Sequence, residues 1–323
     1  AFLGLVRYHD TAASRSMHGK EAMSVQRKMI GLLACLLAAA LAAPGAAAKS
    51  AESGGKPAER RQLERQVGAW AQALAARPGF ERFAAAQATI EPLGPGTHGW
   101  LVLFEDQDGA VGYMIVHAVR DGGFALTEYG LGGAPLYSAD LLRRGLERLG
   151  LADGGEPAGG ASTAAAVERR YAHPLSAVWR VETDDGVFYL DAKTGEELPA
   201  DDRFWNDEAT QSAECLDERL AGGARPSGRL LKHAETQPFD PYGRFPWITR
   251  RPLDWAKTDI AALLGGGSEL RLVAERFGGA FLYVLPIVSW HEWEDGTAYI
   301  GVDQEGTRFM PVACLEPAAR LYD

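Results

Sequence analysis

The chain has 323 residues, of which 24% are charged and 46% hydrophobic, and its formal net charge is −10. This balance is that of a globular protein and excludes a wholly disordered, collagen-like or polytopic membrane protein. Residues 1–48 are basic, so the acidic excess lies in residues 49–323, where it repels phosphate groups. We therefore expect neither nucleic acid nor an anionic membrane surface as a partner.

Residues 23–48 have the order of a secretory signal peptide. Arg27 and Lys28 form a basic start, and the uninterrupted apolar run from Met29 to Ala43 is shorter than the roughly 20 residues of a membrane span. Small residues then predict cleavage near Ala48, which makes the protein secreted or extracytoplasmic. The alternative is an uncleaved segment that anchors the chain at its N-terminus.

The chain is expected to divide further. Residues 1–22 look like a non-native upstream extension, and the polar residues 49–59 form a flexible tether. Residues 60–200 are predicted to be an α+β domain of helices packed on an antiparallel sheet, and residues 201–323 a smaller, aromatic-rich β module with short helices. We find no sequence repeat between these two parts.

The elements of the first domain follow from apolar spacing. Four residues at helical spacing predict an amphipathic helix: Leu63, Val67, Trp70 and Leu74. β-rich runs separated by Gly-containing turns predict a three-stranded meander: Gly99 to Glu105, Gly112 to Val119 and Phe124 to Tyr129. A second helix is expected to begin after Ser138.

The stretch VWRVETDDGVFYLDAKTGEELP, Val178 to Pro199, predicts two further strands joined by a short turn. It resembles the closing hairpin of PepSY-type domains, in which a strand with a Trp leads through a turn to a strand similar to YYVDAxTGEVL. The matching residues are Trp179, Tyr189, Asp191, Ala192, Thr194, Gly195 and Glu196. Asp and Thr-Gly at these places also favour a tight turn that ends the strand.

The resemblance implies a cystatin/PepSY-like layout of helices on a sheet. PepSY domains occur in exported bacterial proteins and in peptidase propeptides, where inhibition is proposed. The family offers no catalytic residues to transfer to this chain. The resemblance therefore implies a binding or inhibitory role at the cell envelope.

The second part is predicted to contain a helix within Glu208 to Leu220, an irregular Pro-rich region from Arg225 to Pro252, and a short helix from Trp255 to Leu264. Strands are then expected in four stretches: Leu270 to Phe277, Phe281 to Trp290, Thr297 to Asp303 and Thr307 to Pro311.

Two cysteines, Cys215 and Cys314, follow the signal segment. In an oxidising compartment they form either one disulfide or two buried thiols, and the sequence does not choose between these. Cys215, His291 and Asp303 also occur in the order nucleophile, base and orienting acid of a papain-like thiol peptidase. The Gln expected before such a Cys is absent, so this hydrolase is the alternative function and a non-catalytic protein is preferred.

The eight tryptophans suggest a binding surface. Trp290 and Trp293 are three apart on a predicted strand, so they point to opposite faces and one needs a cover such as the loop of Trp247. His98 lies in the Gly-rich loop before Trp100 and is a second recognition residue. These side chains predict a site for a peptide, a protein or a glycan. No cofactor and no metal are expected, since the acidic turn at Glu294 and Asp295 is better explained by solvation than by calcium.

Overall fold

The computed structural model describes residues 57–95, 97–120, 122–151, 166–210, 212 and 226–323. The helices are α1 (Pro57–Ala75), α2 (Ala139–Arg148), α3 (202–210), α4 (Pro246–Thr249), α5 (Ile260–Gly265) and α6 (Val312–Leu315). The first strands are β1 (Gln87–Pro92), β2 (Gly99–Asp106), β3 (Gly109–Ala118), β4 (Phe124–Leu131), β5 (Ala166–His173), β6 (Ser176–Thr183) and β7 (Gly186–Asp191). The others are β8 (Glu197–Leu198), β9 (Leu230–Glu235), β10 (Arg271–Arg276), β11 (Phe281–Trp293), β12 (Ala298–Asp303), β13 (Thr307–Pro311) and β14 (Arg320–Tyr322).

These elements make a mixed α+β fold, as predicted, but antiparallel sheet dominates it. A 10-stranded sheet has the order β1-β2-β3-β4-β13-β12-β11-β10-β14, with β9 paired to β11 beside β10. A second, 4-stranded sheet has the order β5-β6-β7-β8. The helices are few and mostly short, so the cystatin/PepSY-like layout of helices on a sheet stays a prediction.

The predicted boundary at residue 200 does not divide the fold. Strand β13 pairs with β4, and Tyr129 lies opposite Phe309 in this pair. The second half of the chain therefore continues the sheet that the first half begins, and residues Ser53–Asp323 form one compact unit. Residues 60–200 and 201–323 are therefore not two separate domains, because both contribute strands to one large sheet. The predicted segments 1–22 and 23–48, and most of the tether at 49–59, lie outside the described residues.

The same order of elements recurs along the chain although the sequence shows no repeat. A helix precedes a meander of four consecutive strands in α1 with β1–β4, in α2 with β5–β8, and in α5 with β10–β13. Each meander joins strands that are neighbours in sequence, which is the shortest connection for antiparallel strands.

One face of the large sheet is covered by α1. The predicted stripe is confirmed, because Leu63, Val67, Trp70 and Leu74 are all buried against strands β2 to β4. Each such side chain contributes about 1.5–3 kcal/mol by leaving water. The Trp70 indole N–H also donates to the carbonyl of Pro226 over 2.7 Å, which ties α1 to the second half of the chain.

The opposite face is covered by different elements in its two halves. The small sheet packs over β2 and β3, where Trp179 and Val181 meet Leu101 and Ile115. Helix α5 packs over β10 to β13 through Ile260 and other apolar residues. The small sheet therefore lies directly on the large one, and polar groups between them must find partners there.

The hairpin predicted from Val178 to Pro199 is present. Strands β6 and β7 are antiparallel, and the Asp191 carboxylate accepts hydrogen bonds from the main-chain N–H groups of Lys193 and Thr194, both at 2.8 Å. Gly195 has a φ of 68°, which glycine adopts without strain. The turn is confirmed.

Other predictions need correction. The Pro-rich region from Arg225 to Pro252 is not wholly irregular, because it contains β9 and α4. The helix expected within Glu208 to Leu220 begins earlier, at residue 202, and residues 213–220 lie outside the described part. The predicted helix from Trp255 to Leu264 is two pieces, a single turn at Trp255–Lys257 followed by α5. Strand β1 was not predicted.

Candidate functional site

A groove runs between α1 and the outer edge of the large sheet. Its volume is 260 Å³. Small residues of α1 form one wall, and β1 with its neighbour β2 forms the other. The lining residues are Arg60, Glu64, Val67, Gly68, Ala71, Gln72, Phe83, Ala84, Ala86, Ala88, Ile90 and Phe104.

The wall formed by β1 is the open edge of the sheet. Strand β1 pairs with β2 along its whole length, and no strand of the described residues pairs with its other side. Four of its six residues are exposed. An unpaired edge presents main-chain N–H and C=O groups that can bind another extended chain.

The interior of the groove is apolar and its rim is charged. Ala88 lies opposite Phe104 in the β1–β2 pair, so both side chains face α1. Gly68 leaves space on the helix wall, because a Cβ at this position would meet no atom within 4 Å. At the rim, Arg60 and Glu64 form an ion pair at 2.9 Å, with each side chain about half exposed.

This arrangement can hold a peptide by strand addition. Main-chain hydrogen bonds to an open edge provide affinity, and pockets for alternate side chains provide selectivity. Here the side chains on one face of an added strand would enter the space between Gly68 and Ala88. Small or medium apolar side chains fit a groove of this size and lining.

The predicted peptidase residues are not brought together in the described structure. Cys215 lies outside the described residues. His291 is 1% exposed, its Nδ1 lies 2.8 Å from the Tyr129 hydroxyl, and its ring stacks on Phe309 at 4.1 Å. Burial, with His233 and Arg77 nearby, lowers the pKa of His291 to about 3. A neutral ring enclosed by aromatic side chains is part of the core.

Asp303 is too far along the sheet to orient His291. The cross-strand partner of His291 is Tyr299, and Asp303 lies four residues further along β12. At about 3.3 Å per residue, this offset is roughly 13 Å. The geometry therefore gives no support to the hydrolase alternative.

The four predicted binding residues lie in four separate places. Trp293 is buried with α1, while Trp290 is partly buried with α5 on the other face, as their spacing predicts. Trp247 belongs to a third cluster beside Tyr242. His98 is exposed in the loop directly before β2. No single aromatic patch joins these four residues.

Cys215, the predicted disulfide partner of Cys314, lies outside the described residues. Cys314 is fully buried in α6. Its carbonyl lies 2.7 Å from Nε2 of the buried His173, and burial lowers the pKa of His173 to about 4. The surroundings of Cys314 are those of a core residue.

A buried group of charged and phenolic side chains joins the two sheets, and we call it the ionic centre. It consists of Glu128 on β4, Arg308 on β13, Tyr113 on β3 and Tyr171 on β5. The Arg308 guanidinium donates to both carboxylate oxygens of Glu128, at 2.9 and 3.2 Å, and both tyrosine hydroxyls donate to the same carboxylate. Burial and the charge of Glu128 raise the pKa of both tyrosines well above its usual value.

Lys193 completes the contact between the sheets. Its ammonium group donates to the main-chain carbonyls of Ala134 and Glu305, which belong to loops of the large sheet. Burial, followed by the charge of Arg308, lowers the pKa of Lys193 to about 8. Strongly shifted pKa values often mark active sites, but these groups are enclosed and hydrogen-bonded. The ionic centre and Lys193 are structural.

No known protein family, curated protein or solved structure matches this chain. Among the described residues, no group of three His, Cys, Asp or Glu side chains is arranged to hold a metal ion. The helices in the same part of the chain are all too short or too polar to span a bilayer.

Sequence reasoning missed the groove, although two signals were present. Gly68 interrupts the exposed side of a helix that otherwise carries mostly long polar residues, and the buried Ala71 lies beside it, so small side chains here leave room for another chain. Residues 87–92 contain Thr89 and Ile90, which favour a strand, and end in Pro92, which is typical of a sheet edge.

Proposed function

We propose that the protein is an exported, non-catalytic binding or inhibitory protein of the cell envelope, which holds an extended peptide segment along β1. The observation that carries the proposal is the open edge of β1 beside an apolar groove. The signal-like residues 23–48 support export, and the PepSY-like hairpin from Val178 to Pro199 supports an inhibitory role. The peptide is either a free ligand or an exposed strand of a partner protein.

The selectivity of the site follows from its walls. Alternate side chains of the bound segment enter the groove and pack against Gly68, Ala71 and Ile90. The walls consist largely of small apolar residues, so large aromatic side chains and charged side chains are disfavoured at these positions. The opposite face of the bound segment tolerates polar residues.

The experiment is a selection of peptides from a random library displayed on phage, with the immobilised full chain as bait. Selected peptides are then measured by fluorescence anisotropy against the wild-type chain and two variants. Gly68→Leu places a large side chain at the groove, and its Cβ meets no atom within 4 Å. Gly265→Leu is the matched control, since Gly265 is also an exposed helical glycine with no atom within 4 Å of its Cβ.

We expect Gly68→Leu to weaken binding at least tenfold and Gly265→Leu to leave it unchanged. Amide exchange within residues 87–91 should slow when the peptide binds, because new main-chain hydrogen bonds form there. Peptides that bind both variants equally, without protecting β1, would show that the groove is not the site. If the peptide library yields no binder and a glycan array does, the ligand is a glycan and not a peptide.

A further inference from the structure

A second cavity, remote from β1 in strand order, lies at the other end of the large sheet, beside β10 and β14. Its volume is 370 Å³, at the small end of the range of about 300–1,000 Å³ that is usual for ligand sites. Val273 lies opposite Arg320 and Arg271 opposite Tyr322, so these pairs define one face of the two strands. The lining residues are Trp247, Val273, Glu275, Glu316, Pro317, Ala318, Ala319, Arg320 and Tyr322.

The charged side chains of this cavity are available to a ligand. Glu275, Glu316 and Arg320 are exposed. Within the described part of the chain, none of these three side chains uses its charged group in a hydrogen bond or an ion pair. The cavity therefore offers two carboxylates and one guanidinium, which together complement a ligand carrying both charges.

The apolar wall of the cavity is held in place before any ligand arrives. Arg244 and Phe245 have φ values of 63° and 43°, a left-handed backbone that non-glycine residues adopt only when the surrounding structure holds them there. The buried Arg271 holds the loop by donating to the carbonyls of Pro241 at 2.7 Å and Gly243 at 3.3 Å. The loop places the Trp247 ring against Phe245, with 5.5 Å between ring centroids.

We propose that this cavity binds a small zwitterion of the amino-acid or dipeptide class. The ligand carboxylate pairs with Arg320, its ammonium group pairs with Glu275 and Glu316, and its apolar side chain packs on Trp247. A fixed aromatic wall with separate positive and negative groups can bind both charged termini of such a molecule at once. The termini of a longer peptide lie too far apart for this. This inference is independent of the peptide groove, because the two sites share no lining residue.

The test measures binding of leucyl-phenylalanine to the full chain by isothermal titration calorimetry. Two blocked forms, the N-acetyl dipeptide and the dipeptide amide, each lack one of the terminal charges. We expect the free dipeptide to bind and each blocked form to bind at least tenfold more weakly. Free leucine and free phenylalanine test how much of the cavity one residue fills.

Variants assign the charges to their partners. Arg320→Gln should remove the preference for the free carboxylate, and Glu275→Gln with Glu316→Gln should remove the preference for the free amine. Trp247→Ala should weaken every ligand, while Arg251→Gln, an exposed arginine outside the lining, should change nothing. Gly68→Leu should also have no effect, so failure of this site is distinguishable from failure of the groove.

Two results would overturn the proposal. One is equal binding of free and blocked dipeptides, since the terminal charges would then play no part. The other is the absence of binding by the free dipeptide and both amino acids at millimolar concentration.

Discussion

Glu128 is 0% exposed and accepts hydrogen bonds from Arg308, Tyr113 and Tyr171, whereas the outer edge of β1 carries main-chain groups that no described strand pairs with. The ionic centre thus has every polar group satisfied inside the fold, and the groove has polar groups left over for another molecule. At the ionic centre, burial and the charge of Glu128 raise the pKa of Tyr113 and Tyr171 well above its usual value. In this protein, shifted pKa values mark the contact that holds the two sheets together. Unpaired main-chain N–H and C=O groups mark the place to look for a ligand.

The largest expected effect tests the closed side of this comparison. Glu128→Ala leaves the Arg308 guanidinium buried without its carboxylate partner. Breaking a buried pair in this way costs about 3–5 kcal/mol. We expect a loss of that size in the free energy of unfolding, measured by urea denaturation.

A double variant serves as the control for the ionic centre. Glu128→Leu together with Arg308→Met removes both charges, and such replacements often restore stability. It should therefore be more stable than Glu128→Ala. A single variant that costs less than about 1 kcal/mol would mean that the ionic centre does not hold the sheets together.

The effect of acid per pH unit is expected to be intermediate in size. Burial depresses the folded-state pKa of His173 to about 4 and of His291 to about 3, below the ordinary value of 6.5. In acid, these two histidines therefore bind protons in the unfolded chain before they bind them in the folded chain. The stability from each histidine is complete above about pH 6.5 and is lost as the pH falls towards the folded-state pKa, by up to about 1.4 kcal/mol per pH unit.

Urea denaturation at several pH values between 7 and 4 measures this slope. His291→Phe keeps an aromatic ring beside Phe309 and should reduce the slope, because one buried titrating group is gone. His98→Gln, at an exposed position, should leave the slope unchanged. If the His291→Phe variant and the wild-type chain lose stability with falling pH at the same rate, the acid sensitivity comes from other groups.

The smallest effect separates the open groove from the closed contact of α2 with the small sheet. Gly68→Ala should stabilise the protein by up to about 1 kcal/mol, because alanine favours a helix and its Cβ meets no atom. Gly145→Ala on α2 is the matched change at a closed position, where a Cβ would lie 2.6 Å from the carbonyl oxygen of Gly195. It should destabilise the protein.

Thermal unfolding of the two alanine variants, followed by circular dichroism, should show a higher Tm for Gly68→Ala and a lower Tm for Gly145→Ala than for the wild-type chain. Destabilisation by Gly68→Ala would show that α1 packs more closely on the sheet edge than the groove implies.

The parts of the fold that the sequence predicts are those with local signals. Strands β2 to β4 and the hairpin of β6 and β7 alternate apolar residues and have Gly-containing turns, so their pairing follows from neighbours in the chain. The pairing of β4 with β13 has no such signal. It depends on Glu128 and Arg308, which are 180 residues apart and look like ordinary surface charges until the sheets bury them.

The candidate sites illustrate the same limit. His291 is a catalytic candidate only in the alternative hydrolase hypothesis, because its residue type fits the chemistry, but its position inside an aromatic core depends on packing that a single sequence does not show. The groove requires α1 and β1 to meet at a sheet edge, and β1 itself has only a weak strand pattern. Trp247 was predicted as a binding residue, and it lines the cavity beside β14.

The long-range pairing of β4 and β13 also sets the order of events during synthesis. A ribosome adds about 5–20 residues per second, so β4 waits roughly 10–40 s before the residues that pair with it are made. During that time the central edge of the large sheet is available to any other extended chain, including a second nascent copy. Folding of the large sheet can therefore be completed only after synthesis has passed β13, and a factor that covers β4 in the interval would protect the chain from aggregation.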